Sequence, residues 1–118
     1  DLTTWKWPEH ELDLVVAVFI HFTPEFRARL HQQMLRALKP GGLLIMEAFT
    51  PKQLEYKTGG PPVKEMLYTA DMLREEFGKG EILRLEEILT GLNEGPYHRG
   101  MAAVVRLMVK RHPALQRE

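Results

Sequence analysis

Imidazole is the side chain whose ordinary pKa lies closest to neutrality, so histidines are the first candidates for proton chemistry. Of the five in this chain, His21 stands apart. It closes an apolar run from Leu14 to Ile20 and precedes Thr23-Pro24-Glu25, a helix start. A histidine there can hydrogen-bond a substrate, act as a base, or help cap the helix. Glu47 sits inside LLIMEAF, where an unpaired charge is costly to bury. Either it points into a cleft and, with Thr50, orients a substrate donor, or it is bound by a structural partner such as an arginine. Tyr56, Lys57 and Tyr68 belong to a long polar connector containing Gly59-Gly60, which reads as a substrate lid or as an ordered surface loop. Tyr97-His98-Arg99-Gly100 gathers three polar-tipped side chains in one turn, suited to a substrate mouth, an anionic group or the anchoring of a hairpin. His10, His31 and His112 lack metal-ligand spacing and are expected on the surface, with no metal site.

The elements that must position these residues follow from local rules. Leu14–Ile20 is too long an apolar run for a one-faced strand and too short for a helix, so it reads as a strand buried on both faces. Phe26, Leu30, Met34 and Leu38 recur every four residues, joined by Leu35, and place one stripe of a helix on a sheet. Thr23 caps this helix, Pro24 opens it and Pro40-Gly41-Gly42 ends it, before a second strand at Leu43–Met46. Thr69 caps a short helix to Phe77 with Met72, Leu73 and Phe77 inward. Gly78-Lys79-Gly80 reads as a turn into a strand from Glu81 to about Leu92, not as a cofactor loop. Asn93-Glu94-Gly95-Pro96 turns the chain into a last strand, Met101–Arg111, and residues 112–118 fray. The order is β-α-β-α-β-β, with a closing antiparallel hairpin.

Sixteen basic and 16 acidic residues give no net charge, so neither nucleic acid nor a membrane surface is an expected partner. The absence of cysteine excludes disulfides and thiolate chemistry and agrees with a cytoplasmic setting. No apolar run approaches the ~20 residues of a membrane helix. No G-x-S-x-G elbow or phosphate-binding loop is present.

Asp13-Leu14-Val15-Val16, His21-Phe22-Thr23 and Leu38-Lys39-Pro40-Gly41-Gly42-Leu43-Leu44 together resemble strand 4, helix D and strand 5 of the class I S-adenosylmethionine (SAM) dependent methyltransferases. Thr50-Pro51-Lys52-Gln53-Leu54, Thr58-Gly59-Gly60-Pro61-Pro62 and Tyr97-His98-Arg99-Gly100 are similar to the small bacterial tellurite-resistance type. The resemblance implies an α/β fold, a partial Rossmann-like sheet equivalent to strands 4 to 7. A complete domain runs to roughly 200 residues, so residues 1–118 are expected to be a single C-terminal portion without the glycine-rich half. It implies SAM as cofactor and a small-molecule methyl acceptor. Asp1 and Leu2 would meet the adenine, with Trp5 and Trp7 either covering it or packing the loop. Ala17, Val18 and Phe19 would flank the methionine portion, and His21 would stand at the reacting methyl. An isolated fragment is expected to be inactive, completed by the missing N-terminal half or by a homodimer. The alternative is a non-catalytic half-Rossmann interaction or self-association module.

Overall fold

The computed structural model describes residues 1–56, 59–93 and 99–112, with the side chains of residues 92, 93 and 99 left aside. The elements are β1 (Leu12–Val18), α1 (Pro24–Ala37), β2 (Leu38–Phe49), two short 3-10 turns (Pro51–Glu55 and Lys64–Met66), α2 (Ala70–Glu76), β3 (Glu81–Asn93) and β4 (Arg99–Lys110). They build one mixed sheet of order β1-β2-β4-β3. β1 and β2 are parallel, as a strand–helix–strand crossover requires, whereas β4 runs antiparallel to both β2 and β3. The expected element order is observed, with shifted boundaries.

Local chemistry accounts for most of those boundaries. Thr23 occupies the N-cap position of α1 and Pro24 follows it, but the threonine side chain makes no capping bond. At α2 the cap is complete, since the Thr69 hydroxyl accepts from the Met72 N–H at 3.1 Å. α1 stops at Ala37, and strand pairing resumes at Leu38 opposite Leu12, so Pro40-Gly41-Gly42 lies inside β2. Lys39 precedes a proline, which disfavours helix and continues the chain extended. Gly41, at φ 83°, bends the strand and donates its N–H to the Arg111 carbonyl at 2.8 Å.

The two sides of the sheet differ. Met34, Leu35, Leu38, Leu73 and Phe77 pack on Ala17, Leu44, Met46, Leu107 and Val109, forming the main core beneath the helices. Leu30 also is buried and Phe26 partly so, in agreement with the stripe. On the opposite side, Leu67 of the connector covers Phe49, Ala102 and Val104, with Phe19 and Ile88 at the margin. Beyond this cluster the face is open. Leu14, Val16 and Val18 are 51%, 53% and 49% exposed, which corrects the expectation of a strand buried on both faces. β1 is also one edge of the sheet, paired among the described residues with β2 alone. Among the described residues no helix is long and apolar enough to cross a membrane.

Candidate functional site

In open α/β sheets ligands sit beyond the carboxyl ends of the parallel strands, and here these are the ends of β1 and β2. At Phe19 the chain leaves β1 with φ 54°, a left-handed conformation that costs an aromatic residue about 1–3 kcal/mol. The turn is held by the Phe19 N–H donating to the Glu47 carbonyl at 2.7 Å. It is also held by the Phe19 ring, stacked on Phe49 with centroids 4.4 Å apart and planes within 9°. The His21 ring lies nearly parallel to Phe49 at 5.7 Å, and its Nε2 accepts the Phe49 N–H at 2.9 Å. Tyr68 adjoins His21 at 5.1 Å, and its phenol oxygen accepts the Phe22 N–H at 2.7 Å. One aromatic group therefore joins both strand ends to the connector.

This grouping is largely neutral. Burial lowers the His21 pKa below the ordinary imidazole value, with hydrogen bonding to the backbone of Phe49 and Phe19 opposing it in part. An unprotonated Nε2 is required to accept the Phe49 N–H, so His21 stands as the Nδ1–H tautomer. Its lone pair becomes a proton acceptor only when that bond is released. Burial pushes the Tyr68 phenol up to about 12, against the smaller effect of the Phe22 hydrogen bond and of Arg27. What the arrangement offers chemically is an apolar, aromatic wall with one neutral imidazole, next to an open strand edge.

The other anticipated residues are distributed unevenly. Glu47 has found an arginine: its Oε2 accepts from Arg106 Nε at 2.5 Å, across a β2–β4 register pair on the open face. Thr50 is buried, with its N–H donated to the Ala103 carbonyl at 3.0 Å. Tyr68 is buried as well, so it serves the inside of the connector and not an exposed lid. Val18 faces the open side, while Ala17 points beneath the helices. Tyr56 is half-buried at the end of the first 3-10 turn. Asp1 uses its carboxylate on the Thr3 N–H and hydroxyl at 2.8 and 2.7 Å, and the Leu2 carbonyl accepts from Trp7 Nε1 at 3.1 Å. Trp7 packs against the core, and Trp5 stays exposed, edge-on to it at 4.9 Å. Arg99 opens β4, while Lys57, Tyr97, His98 and the 113–118 tail lie outside the described residues.

His31 is the clear correction. It is fully buried, with Nδ1 on Glu76 Oε1 at 2.7 Å, and Arg27 Nε reaches Glu76 Oε2 at the same distance. The signal was available in the helical stripe, since His31 lies four residues before Leu35 and seven before Leu38. Gln53 also was missed: it is buried, with Oε1 accepting the Ala103 N–H at 2.8 Å and Nε2 donating to the Gly59 carbonyl at 3.1 Å.

No family model and no curated protein matches this chain. Solved structures do. A SAM-dependent methyltransferase from Methanosarcina mazei aligns with 95% of the chain and 65% of its own length, at a TM-score of 0.66 and 15% identity. TehB from Haemophilus influenzae aligns with 94% of the chain and 39% of its own, at 0.67 and 15%. The fold is shared with part of each of these two methyltransferase-fold structures. The same fold carries other chemistry, since the [4+2]-cyclase SpnF matches over 95% of this chain and 54% of its own, at 0.63 and 17% identity. The chain thus spans between 39% and 65% of the length of these three methyltransferase-fold proteins.

Proposed function

We propose that the chain is the C-terminal half of a class I SAM-dependent methyltransferase acting on a small-molecule acceptor, similar to the tellurite-resistance type. The observation that carries this reading is the sheet order β1-β2-β4-β3, with its antiparallel hairpin beside the last parallel strand, in a chain that aligns almost entirely with part of larger methyltransferases. The open edge of β1 then receives the strands of the glycine-rich half, and Leu14 and Val16 are covered by that half.

The described residues fit one side of the cofactor. Val18, 49% exposed, and Phe19, stacked on Phe49, form an apolar wall at the end of β1, suited to the methionine portion. When bound, SAM supplies an electrophilic methyl group. The contribution of this chain is orientation: Phe19, Phe49 and His21 hold the acceptor side in a fixed geometry, the main requirement of an in-line displacement. His21 orients the acceptor as a neutral imidazole, and takes a proton only after releasing Phe49. Ala17 sets the strand from beneath. Asp1 and Leu2 reach the adenine once the Asp1 carboxylate releases the Thr3 N–H and hydroxyl. Tyr56 borders the acceptor mouth, and Glu47 and Thr50 support it from the strand end.

Titration with S-adenosylhomocysteine tests the reading. The 118-residue chain alone is expected to bind more weakly than about 1 mM, and a polypeptide that joins it to a glycine-rich half is expected to bind at micromolar strength. Micromolar binding by the chain alone would remove the need for a second half. Failure of both would remove the methyltransferase reading. The unguarded β1 edge favours one other reading, a self-association module, because such edges pair readily with another chain. A dimer seen by light scattering and dissociated by Val16→Lys would support it.

A further inference from the structure

Beneath the helices, away from the open edge, Glu76 of α2 gathers three side chains of α1. Arg27 Nε and His31 Nδ1 each lie 2.7 Å from its carboxylate, and Gln32 Nε2 donates to its carbonyl at 2.9 Å. His31 in turn is wedged among rings: edge-on to Tyr68 at 5.3 Å and 89°, edge-on to Phe22 at 5.9 Å, and tilted on Phe77 at 5.0 Å. The Arg27 guanidinium lies over the Tyr68 ring at 5.9 Å. Tyr68 holds the Phe22 N–H, and the neighbouring His21 holds the Phe49 N–H. A continuous set of directed contacts therefore runs from Glu76 through His31 and Tyr68 to the His21–Phe22 loop.

An apolar cluster of similar volume would hold two helices together equally well, because a buried ionic group contributes little net stability. What the charged group adds is direction. With Nδ1 bound to Glu76, the His31 ring has one orientation, and its edge sets the plane of Tyr68. The plane of Tyr68 in turn orients the lone pairs of its phenol oxygen, which accepts the Phe22 N–H at 2.7 Å. We propose that His31 and Glu76 are positioning residues for the His21–Phe22 loop, acting through Tyr68. The assignment rests on the proposed methyl-transfer site for its functional meaning, but its geometry is measurable without any turnover.

The test uses the 118-residue chain and its variants Glu76→Ala, Glu76→Gln and His31→Phe. Imidazole nitrogen shifts report the His21 tautomer, and hydrogen exchange reports the Phe22 and Phe49 amides. Val109→Ala, a core truncation at the other end of the sheet, serves as the control for general loss of stability. Glu76→Ala and His31→Phe are expected to mix the His21 tautomers and to speed exchange at Phe22 and Phe49 at least tenfold beyond the control. Glu76→Gln, which keeps one acceptor, is expected to fall between, and it carries the comparison if Glu76→Ala fails to fold. Variants that leave His21 in the Nδ1–H form, with exchange no faster than in the control, would overturn the proposal. S-adenosylhomocysteine is titrated into a two-half polypeptide in parallel. Absence of binding by the unmutated two-half polypeptide, with His21 in its Nδ1–H form, counts against the methyltransferase reading alone.

Discussion

The phenol oxygen of Tyr68 accepts the Phe22 N–H at 2.7 Å, joining the end of the connector after β2 to the loop after β1. Forty-six residues separate the two, and the bond closes the aromatic group that also contains His21 and Phe49. Tyr68→Phe keeps the ring but leaves a partly buried N–H without its acceptor, at a cost of about 1–3 kcal/mol. Urea unfolding is expected to show that loss with an unchanged m-value. No change in midpoint would mean that solvent replaces the phenol.

Acid should weaken the fold in two stages. The folded-state pKa of His21 is lowered from 6.5 by burial, so the unfolded chain binds its proton first and stability falls as pH drops below about 6.5. Burial acts to raise the pKa of Glu76, but hydrogen bonds and charge from His31 and Arg27 outweigh it and bring it below 4.5. Its contribution is full above 4.5 and is lost as pH falls through the lowered value. Thermal melts between pH 8 and 3 are expected to step down in both windows, with His21→Gln removing only the upper step.

Alkali acts through Tyr68. A phenol raised from 10.0 to about 12 remains protonated in the folded chain after an unfolded one has ionised, so stability declines between those values. Absorbance titration of the three tyrosines should show one lagging the others, and Tyr68→Phe should remove that late phase.

Gly60 is at φ 84°, and an added Cβ would lie 2.6 Å from Cδ2 of the buried Phe49 ring. Gly60→Ala therefore combines backbone strain with overpacking, each worth about 1–3 kcal/mol. The expected result is a connector displaced from the sheet, read as faster amide exchange at Leu67 and Tyr68. An unchanged pattern would show that Phe49 has room to move.

The Thr69 cap, Pro24 at the first turn of α1, the four-residue stripe and the glycine turn before β3 are short-range features, and each was legible in the sequence. Such signals depend on neighbours within a turn or two of chain, so they determine element type and order by themselves. The β1–β2 crossover followed from the same signals, since a single helix between two apolar strands permits little else. The place of His21 just beyond a strand end also was legible. Its use of Nε2 on Phe49 was not.

What the sequence could not determine are the meetings set by register and layer. Glu47 reads equally as a substrate ligand or an ion-pair partner until β4 is placed beside β2, which brings Arg106 opposite it from 59 residues away. Tyr68 reads as a lid residue until the connector returns to the helices and buries it in the main core. His31 reads as a surface residue until α2 delivers Glu76 to it. Leu14–Ile20 has the composition of a two-sided strand, yet its open face depends on what else is packed against the sheet. A local pattern specifies which face of an element is apolar, whereas only the assembled layers decide what that face meets.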